Sequence, residues 1–188
     1  MSWGNQGGIT LGINSRTIKS ISAWGGHGFL GMDIFSSELG RNLYIISIYA
    51  PNLYRLEFWN RLLGLSLINN ITILGEDLNF TIGHEESWGH HSQLDLLSNQ
   101  LELLLEQHHH IDIFMNKKIP IWDNIRIGDA ELDRRLDRFI INEELLVSFT
   151  YYRQWVGFGG ISNHSPIYLE LAGPSQKTRS PFNSMQPS

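Results

Sequence analysis

The stretch Ile71-Thr-Ile-Leu-Gly-Glu-Asp-Leu-Asn79 decides how the fold is read. Ile71 to Leu74 is a short apolar strand, and it runs straight into an acid and an amide two residues apart. In extended backbone an i, i+2 pair projects to one side, so Asp77 and Asn79 are expected to point into one cleft. A carboxylate at the end of a buried strand is costly unless a metal, a cation or hydrogen-bond donors compensate it. The plainer reading of the same residues is an Asx turn that caps the strand.

Working outward, Leu43-Tyr-Ile-Ile-Ser-Ile-Tyr49 is nearly all apolar or β-branched and fits a central strand covered on both faces, stopped by Pro51. Leu56 to Ile68 repeats apolar residues at helical spacing and ends at Asn69-Asn70, while Leu94 to Gln107 sets Leu94, Leu97, Leu101, Leu104 and Leu105 on one helical face. Arg138 to Ile141 and Ile167 to Leu171 read as short strands, and Glu143 to Tyr152 as a helix. Ahead of these, Ile9 to Ile13 and Thr17 to Ser22 suggest an opening hairpin around Asn14-Ser15, with Trp24 to Gly28 as a loop and Phe29 to Phe35 as a strand. Strands mixed with at least three helices, without regular βαβ alternation, predict α/β layers with a largely antiparallel sheet component. No internal repeat, Rossmann fingerprint or Walker loop is present.

The 188 residues are 41% hydrophobic and 18% charged, enough for one sizeable core. One domain is expected over residues 1–172, followed by a Ser/Pro/Lys/Gln-rich tail or linker over 173–188. The net charge of −5 gives no whole-surface attraction to phosphate backbones or anionic membranes, so nucleic-acid contact must be local or metal-assisted. With no cysteine, thiolate zinc sites and cysteine nucleophiles are excluded. Neither a signal peptide nor an apolar run of membrane-spanning length is visible, and an intracellular protein, nuclear or cytoplasmic, is expected.

Other residue types capable of chemistry lie near strand ends. Asp137 sits in Arg134-Arg-Leu-Asp-Arg138, where the bland reading is a surface salt bridge among arginines. His164, directly before the last strand, suits a general base or phosphate ligand, or is an ordinary loop histidine. Arg126, Arg134 and Arg135 are candidate phosphate contacts or simply solvated charge. His108-His-His110 and His90-His91 raise a transition-metal site, but adjacent histidines do not face one another, and a solvated helix end is the better reading of the first group.

Taken in order, Ile48-Tyr-Ala-Pro-Asn52, Ile73-Leu-Gly-Glu-Asp-Leu-Asn79, Arg135-Leu-Asp-Arg-Phe-Ile-Ile141 and Ser162-Asn-His-Ser-Pro-Ile167 resemble the endonuclease/exonuclease/phosphatase superfamily over roughly Gly8 to Leu171. Trp122-Asp-Asn-Ile-Arg126 with Gly128-Asp-Ala130 is similar to the endonuclease domains of plant LINE-type retrotransposons. The resemblance implies a four-layer α/β sandwich of two packed, mostly antiparallel mixed sheets flanked by helices, here lacking the first strands. It also implies a Mg²⁺-dependent phosphodiesterase, with Mn²⁺ as a substitute, that nicks DNA by in-line attack of water. A reverse transcriptase fused in the parent element is the implied partner.

By the same resemblance, His164 is the catalytic histidine, Asp137 the carboxylate orienting it, Asp77 the acid acting on water, Asn79 a phosphate-contacting amide and Tyr49 an active-site phenol. Asn52, Trp122, Asn124 and Arg126 would contact substrate. Asn163 takes the place of a metal-facing aspartate, Glu76 that of a small glycine, and the strand bearing the family's metal-binding glutamate has no counterpart. These departures predict weakened metal binding and impaired activity. The alternatives are a remnant that keeps the fold without catalysis, and a small-molecule phosphoester phosphatase of the same superfamily.

Overall fold

The computed structural model describes residues 8–65, 71–89, 93–115, 119–159 and 161–173. Its centre is a six-stranded sheet with strand order β1-β2-β3-β4-β9-β6. The strands are β1 Ile18–Gly26, β2 Phe29–Ser36, β3 Arg41–Tyr49, β4 Thr72–Asp77, β9 Asp137–Asn142 and β6 His110–Asp112. Only β3 and β4 pair in parallel, as they must when a helix crosses over between them.

That helix, α1 Arg55–Leu63, buries Phe58, Trp59, Leu62 and Leu63 on the face of the sheet formed by Ile46, Ile48, Leu74 and Ile140. Helix α2 Ser98–Gln107 adds Leu101 and Leu105 to the same core, as its leucine spacing predicts. Trp59 is fully buried and meets Phe58 and Phe80 edge-on at 5.5 and 5.4 Å. The opposite face carries Ile34, Leu43 and Ile141, packed against Leu145, Leu146 and Phe149 and against Leu169 and Leu171 of a second sheet. This second sheet is β10 Tyr151–Val156 with β11 Ile167–Ala172, and helix α3 Glu143–Leu146 leads into it. Helices on one side of the sheet and a second sheet on the other give the layered α/β architecture. Strand β3 is covered on both faces, and that is why it alternates so little.

A third small sheet, β5 Ser87–Trp88, β8 Asp133–Arg134 and β7 Trp122–Asp123, lies beside the rim where β3 and β4 end and β9 begins.

Several expectations are corrected. The opening hairpin is β1 with β2, turning at His27 and Gly28; residues 9–13 form no strand, although Asn14 does make a turn through Thr17 and Ile18. Trp24 to Gly26 therefore belongs to a strand. Gly28 supplies the positive φ of 82° that the turn requires. Helix α1 stops at Gly64; the rest of the expected helix, residues 66–68, falls outside the described residues, as do His90, His91 and residues 174–188. The helix expected over Glu143 to Tyr152 ends after one turn, because Tyr151 and Tyr152 pair with Leu171 and Ala172.

The His108-His-His110 group is a solvated helix end only in part, since His108 caps α2 and His109 is exposed but His110 is not. His109 takes φ 54° and reverses the chain, and His110 enters β6 as a buried residue, 5% exposed. Arg135, weighed as a phosphate contact or surface charge, is neither. It is 1% exposed and, with Arg138, forms a buried network with Glu86 and Asp112 at 2.6 to 2.9 Å. Among the described residues no helix is long and apolar enough to cross a membrane.

Candidate active site

The site begins with sheet register. Tyr49 of β3 is the partner of Asp77 of β4, and Asp77 is the partner of Asp137 of β9, so three side chains stand in a row across adjacent strand ends. Strand alternation puts this row on the face toward the second sheet, since Ile73 and Ile141, each four residues along its strand from Asp77 and Asp137, pack there.

The histidine reaches this row from the loop before β11. Asp123 N–H donates to Asn163 O at 3.0 Å, Asn163 Nδ2 returns a bond to Asp123 O at 3.2 Å, and Ser165 N–H donates to Ile121 O at 2.7 Å. His164 is bridged to Trp122, and its own N–H donates to Ser162 Oγ at 3.1 Å. So held, His164 Nδ1 lies 2.8 Å from Asp137 Oδ2. Nδ1–H donates to the carboxylate, and Nε2 is left for the cleft. The hydrogen bond to Asp137 raises the His164 pKa against the opposing effect of burial, and the charges of Asp137, Asp77 and Asp123 add to the rise. A cleft of about 520 Å³ is lined by Ile48, Tyr49, Asp77, Asp137, Asn163 and His164 together with Gly8, Ile9 and Ser162.

Asp77 and Asn79 do not share this cleft. Strand β4 ends at Asp77, whose Oδ1 accepts the Asn79 N–H at 3.0 Å, and Asn79 turns with φ 54°. Extended alternation therefore fails between them, and the Asx turn coexists with a carboxylate facing the cleft. The Asn79 amide donates to Ala50 O at 3.1 Å and Asn52 Oδ1 at 2.7 Å. Both asparagines line a second, smaller pocket with Arg55, Asp95 and Arg134.

Of the other residues expected at the substrate, Trp122 is half-buried beside His164 and Arg126 is exposed. Asn124 is taken up by its own loop: Oδ1 accepts from Arg126 and Leu132 N–H, and Nδ2 donates to Ala130 O. Arg55, Asp95 and Asp123 lie around these two pockets without being singled out by the sequence; they stand in a first helical turn, a loop and a two-residue strand, none of which gives a periodic signal.

Among the described residues no three His, Asp or Glu side chains converge to hold a metal. Asp137 is occupied by His164, and Asp77 and Asn163 supply one carboxylate and one amide oxygen. Mg²⁺ favours six close oxygens, so these residues do not fit a metal site of their own.

No protein-family model matches the chain, and no curated protein matches it closely. The fold is nevertheless shared with solved structures of two endonucleases and of TDP2, which superpose on most of the chain. The endonuclease domain of TRAS1, a telomere-specific non-LTR retrotransposon, aligns with TM-score 0.61 and 18% identity over 85% of this chain and 70% of its own. An AP endonuclease from Archaeoglobus fulgidus gives 0.61 and 12% over 81% and 71%, and TDP2 from D. rerio, complexed with a single-strand DNA product, gives 0.57 and 13% over 82% and 68%.

Proposed function

We propose that the chain is a phosphodiesterase domain of the endonuclease type, acting slowly on DNA. The observation that carries this reading is the His164–Asp137 pair at 2.8 Å, facing Asp77 and Tyr49 in one cleft. A phosphodiester entering the cleft would meet an imidazolium whose Nε2–H donates to a phosphoryl oxygen and offsets charge developing on phosphorus. Asp137 fixes the tautomer and orientation of that ring. Asp77 orients the attacking water and accepts its proton as the opposite P–O bond breaks, the leaving oxygen taking its proton from solvent, and the Tyr49 hydroxyl donates to a second phosphoryl oxygen. No covalent nucleophile is required.

The family resemblance to LINE-type elements supports DNA as substrate, a fused reverse transcriptase as partner and an intracellular site of action. The sparse oxygen set, which does not fit a resident Mg²⁺ or Mn²⁺, favours low turnover. The same observation favours a second reading, a domain that binds DNA without cutting it. Incubation with supercoiled plasmid and Mg²⁺ or Mn²⁺ separates the two. Slow nicking that EDTA and His164→Ala abolish supports the enzyme; binding with no nicks supports the second reading; nicking unchanged by His164→Ala overturns the proposed site.

A further inference from the structure

The pocket beside the catalytic row has features that the cleft chemistry leaves unexplained. It measures about 260 Å³ and is lined by Asn52, Arg55, Asn79, Gln93, Asp95 and Arg134, with Leu94 and Leu96 at its border. That is below the usual range of small-molecule sites, roughly 300–1,000 Å³, and suits one anionic group better than a whole ligand.

Its charge does not balance internally. Asp95 is held by Arg55 through both guanidinium Nη atoms, and against the opposing effect of burial this pair, with the Leu97 N–H, brings the Asp95 pKa below its ordinary value. Arg134 is a second guanidinium whose charge also acts on Asp95, so two guanidiniums share this one carboxylate. Its Nε is buried without a hydrogen-bond partner, and among the described residues its side chain makes no hydrogen bond or ion pair. A guanidinium left without hydrogen-bond partners is unfavourable, and an acceptor reaching its Nη atoms would lower that cost. In a chain of net charge −5, a pocket with two guanidiniums and one carboxylate is a local positive spot.

The amides are set the same way. Asn52 Oδ1 already accepts from Asn79, so Asn52 has its Nδ2 left to donate. A guanidinium fork with amide donors around a small cavity matches the planar oxygens of a phosphate.

Position supplies the last step. Arg134 pairs with Trp122 in the small sheet, and Trp122 bridges to His164 on its other side. Two strand spacings, ~10 Å, thus separate the Arg134 and His164 backbones. A DNA strand advances ~3.4 Å along its axis per phosphate, so phosphates a few nucleotides apart span this distance. Asn79 joins the two pockets, since its turn closes on Asp77 while its amide faces Asn52.

We propose that the Arg134 pocket is a second phosphate subsite, which holds a backbone phosphate flanking the one in the His164 cleft and selects polynucleotides over isolated phosphoesters. This rests on the phosphodiesterase reading above. The test is binding of a fluorescein-labelled 12-nucleotide single-stranded DNA by anisotropy, in EDTA so that nothing is cut, across a salt series.

Arg134→Ala is expected to weaken binding about tenfold and lower the salt slope by about one counterion, with Arg134→Lys intermediate. Replacing single phosphates by methylphosphonates is expected to reveal one position at which wild type falls to the Arg134→Ala level and the variant loses nothing further. Equal binding and equal salt slope for wild type and a folded Arg134→Ala, checked by melting temperature, overturn the subsite and leave the phosphodiesterase reading intact. The uncharged, polar Arg134→Gln serves if the alanine variant does not fold. Absence of DNA binding by the wild type overturns both.

Discussion

Asp77 and Asp137 are cross-strand partners at the end of the sheet, two carboxylates in register on adjacent antiparallel strands. Like charges opposite one another are unfavourable, and here the pair is tolerated because His164 bonds the second of them at 2.8 Å. The arrangement keeps an acid exposed to the cleft on β4 while its neighbour on β9 is committed to the imidazole. It divides the two roles by position alone.

The His164 imidazole should titrate above its ordinary value of 6.5, chiefly through the Asp137 hydrogen bond. A raised folded-state pKa means that this pair stabilises the fold fully below pH 6.5 and progressively less as pH rises through the folded value. Turnover that depends on the imidazolium falls over the same interval. An NMR titration of the His164 ring checks this, with Asp137→Asn expected to move its midpoint back down; identical midpoints in the two proteins contradict the pairing.

His110 has the opposite sign. Burial lowers its pKa to about 4, although its Nδ1–H donates to His108 O at 2.8 Å. Between pH 6.5 and 4 the unfolded chain binds the proton more readily, so stability is lost as pH falls. At pH 5 the loss from this residue is about 2 kcal/mol relative to pH 7. Urea midpoints at the two pH values measure it, and His110→Gln should flatten the difference.

The network of Glu86, Asp112, Arg135 and Arg138 should tolerate no single removal. Burial alone would raise the Glu86 pKa, but Arg138, Arg135 and the Ile82 N–H bring it down to about 2. Its contribution is therefore complete above pH 4.5 and disappears as pH falls toward 2. Glu86→Gln leaves two buried guanidiniums facing one carboxylate and should cost about 3–5 kcal/mol, read as a lower urea midpoint at pH 7.

Gly28 positions Tyr49. A Cβ added there, at φ 82°, would stand 2.9 Å from Tyr49 O and 3.0 Å from the Phe58 ring. Gly28→Ala should destabilise the fold by roughly 1 kcal/mol or more and displace the end of β3, visible as a shifted amide resonance for Tyr49.

Much of this was legible in the sequence because strand ends are. The apolar runs of β3, β4 and β9 locate their own termini, and Tyr49, Asp77 and Asp137 fall where those runs meet polar loops. Asn79 departs from the cleft because its positive φ of 54° resets the strand alternation that would have carried it there. Glu86 and Arg138 are 52 residues apart, so nothing local announces that they share a buried site. Helix α3 was drawn too long because its apolar residues continue into Tyr151 and Tyr152, whose strand partners lie some 20 residues downstream.

The central claim is that His164 and Asp77 act together on one phosphodiester. Single-turnover cleavage of a DNA duplex by wild type, His164→Ala, Asp77→Asn and the double variant tests it most directly. Residues working as a unit are strongly non-additive, so the double variant should be no slower than the slower single variant. Multiplying effects, or a wild type that binds the duplex and never cuts it, would contradict the claim.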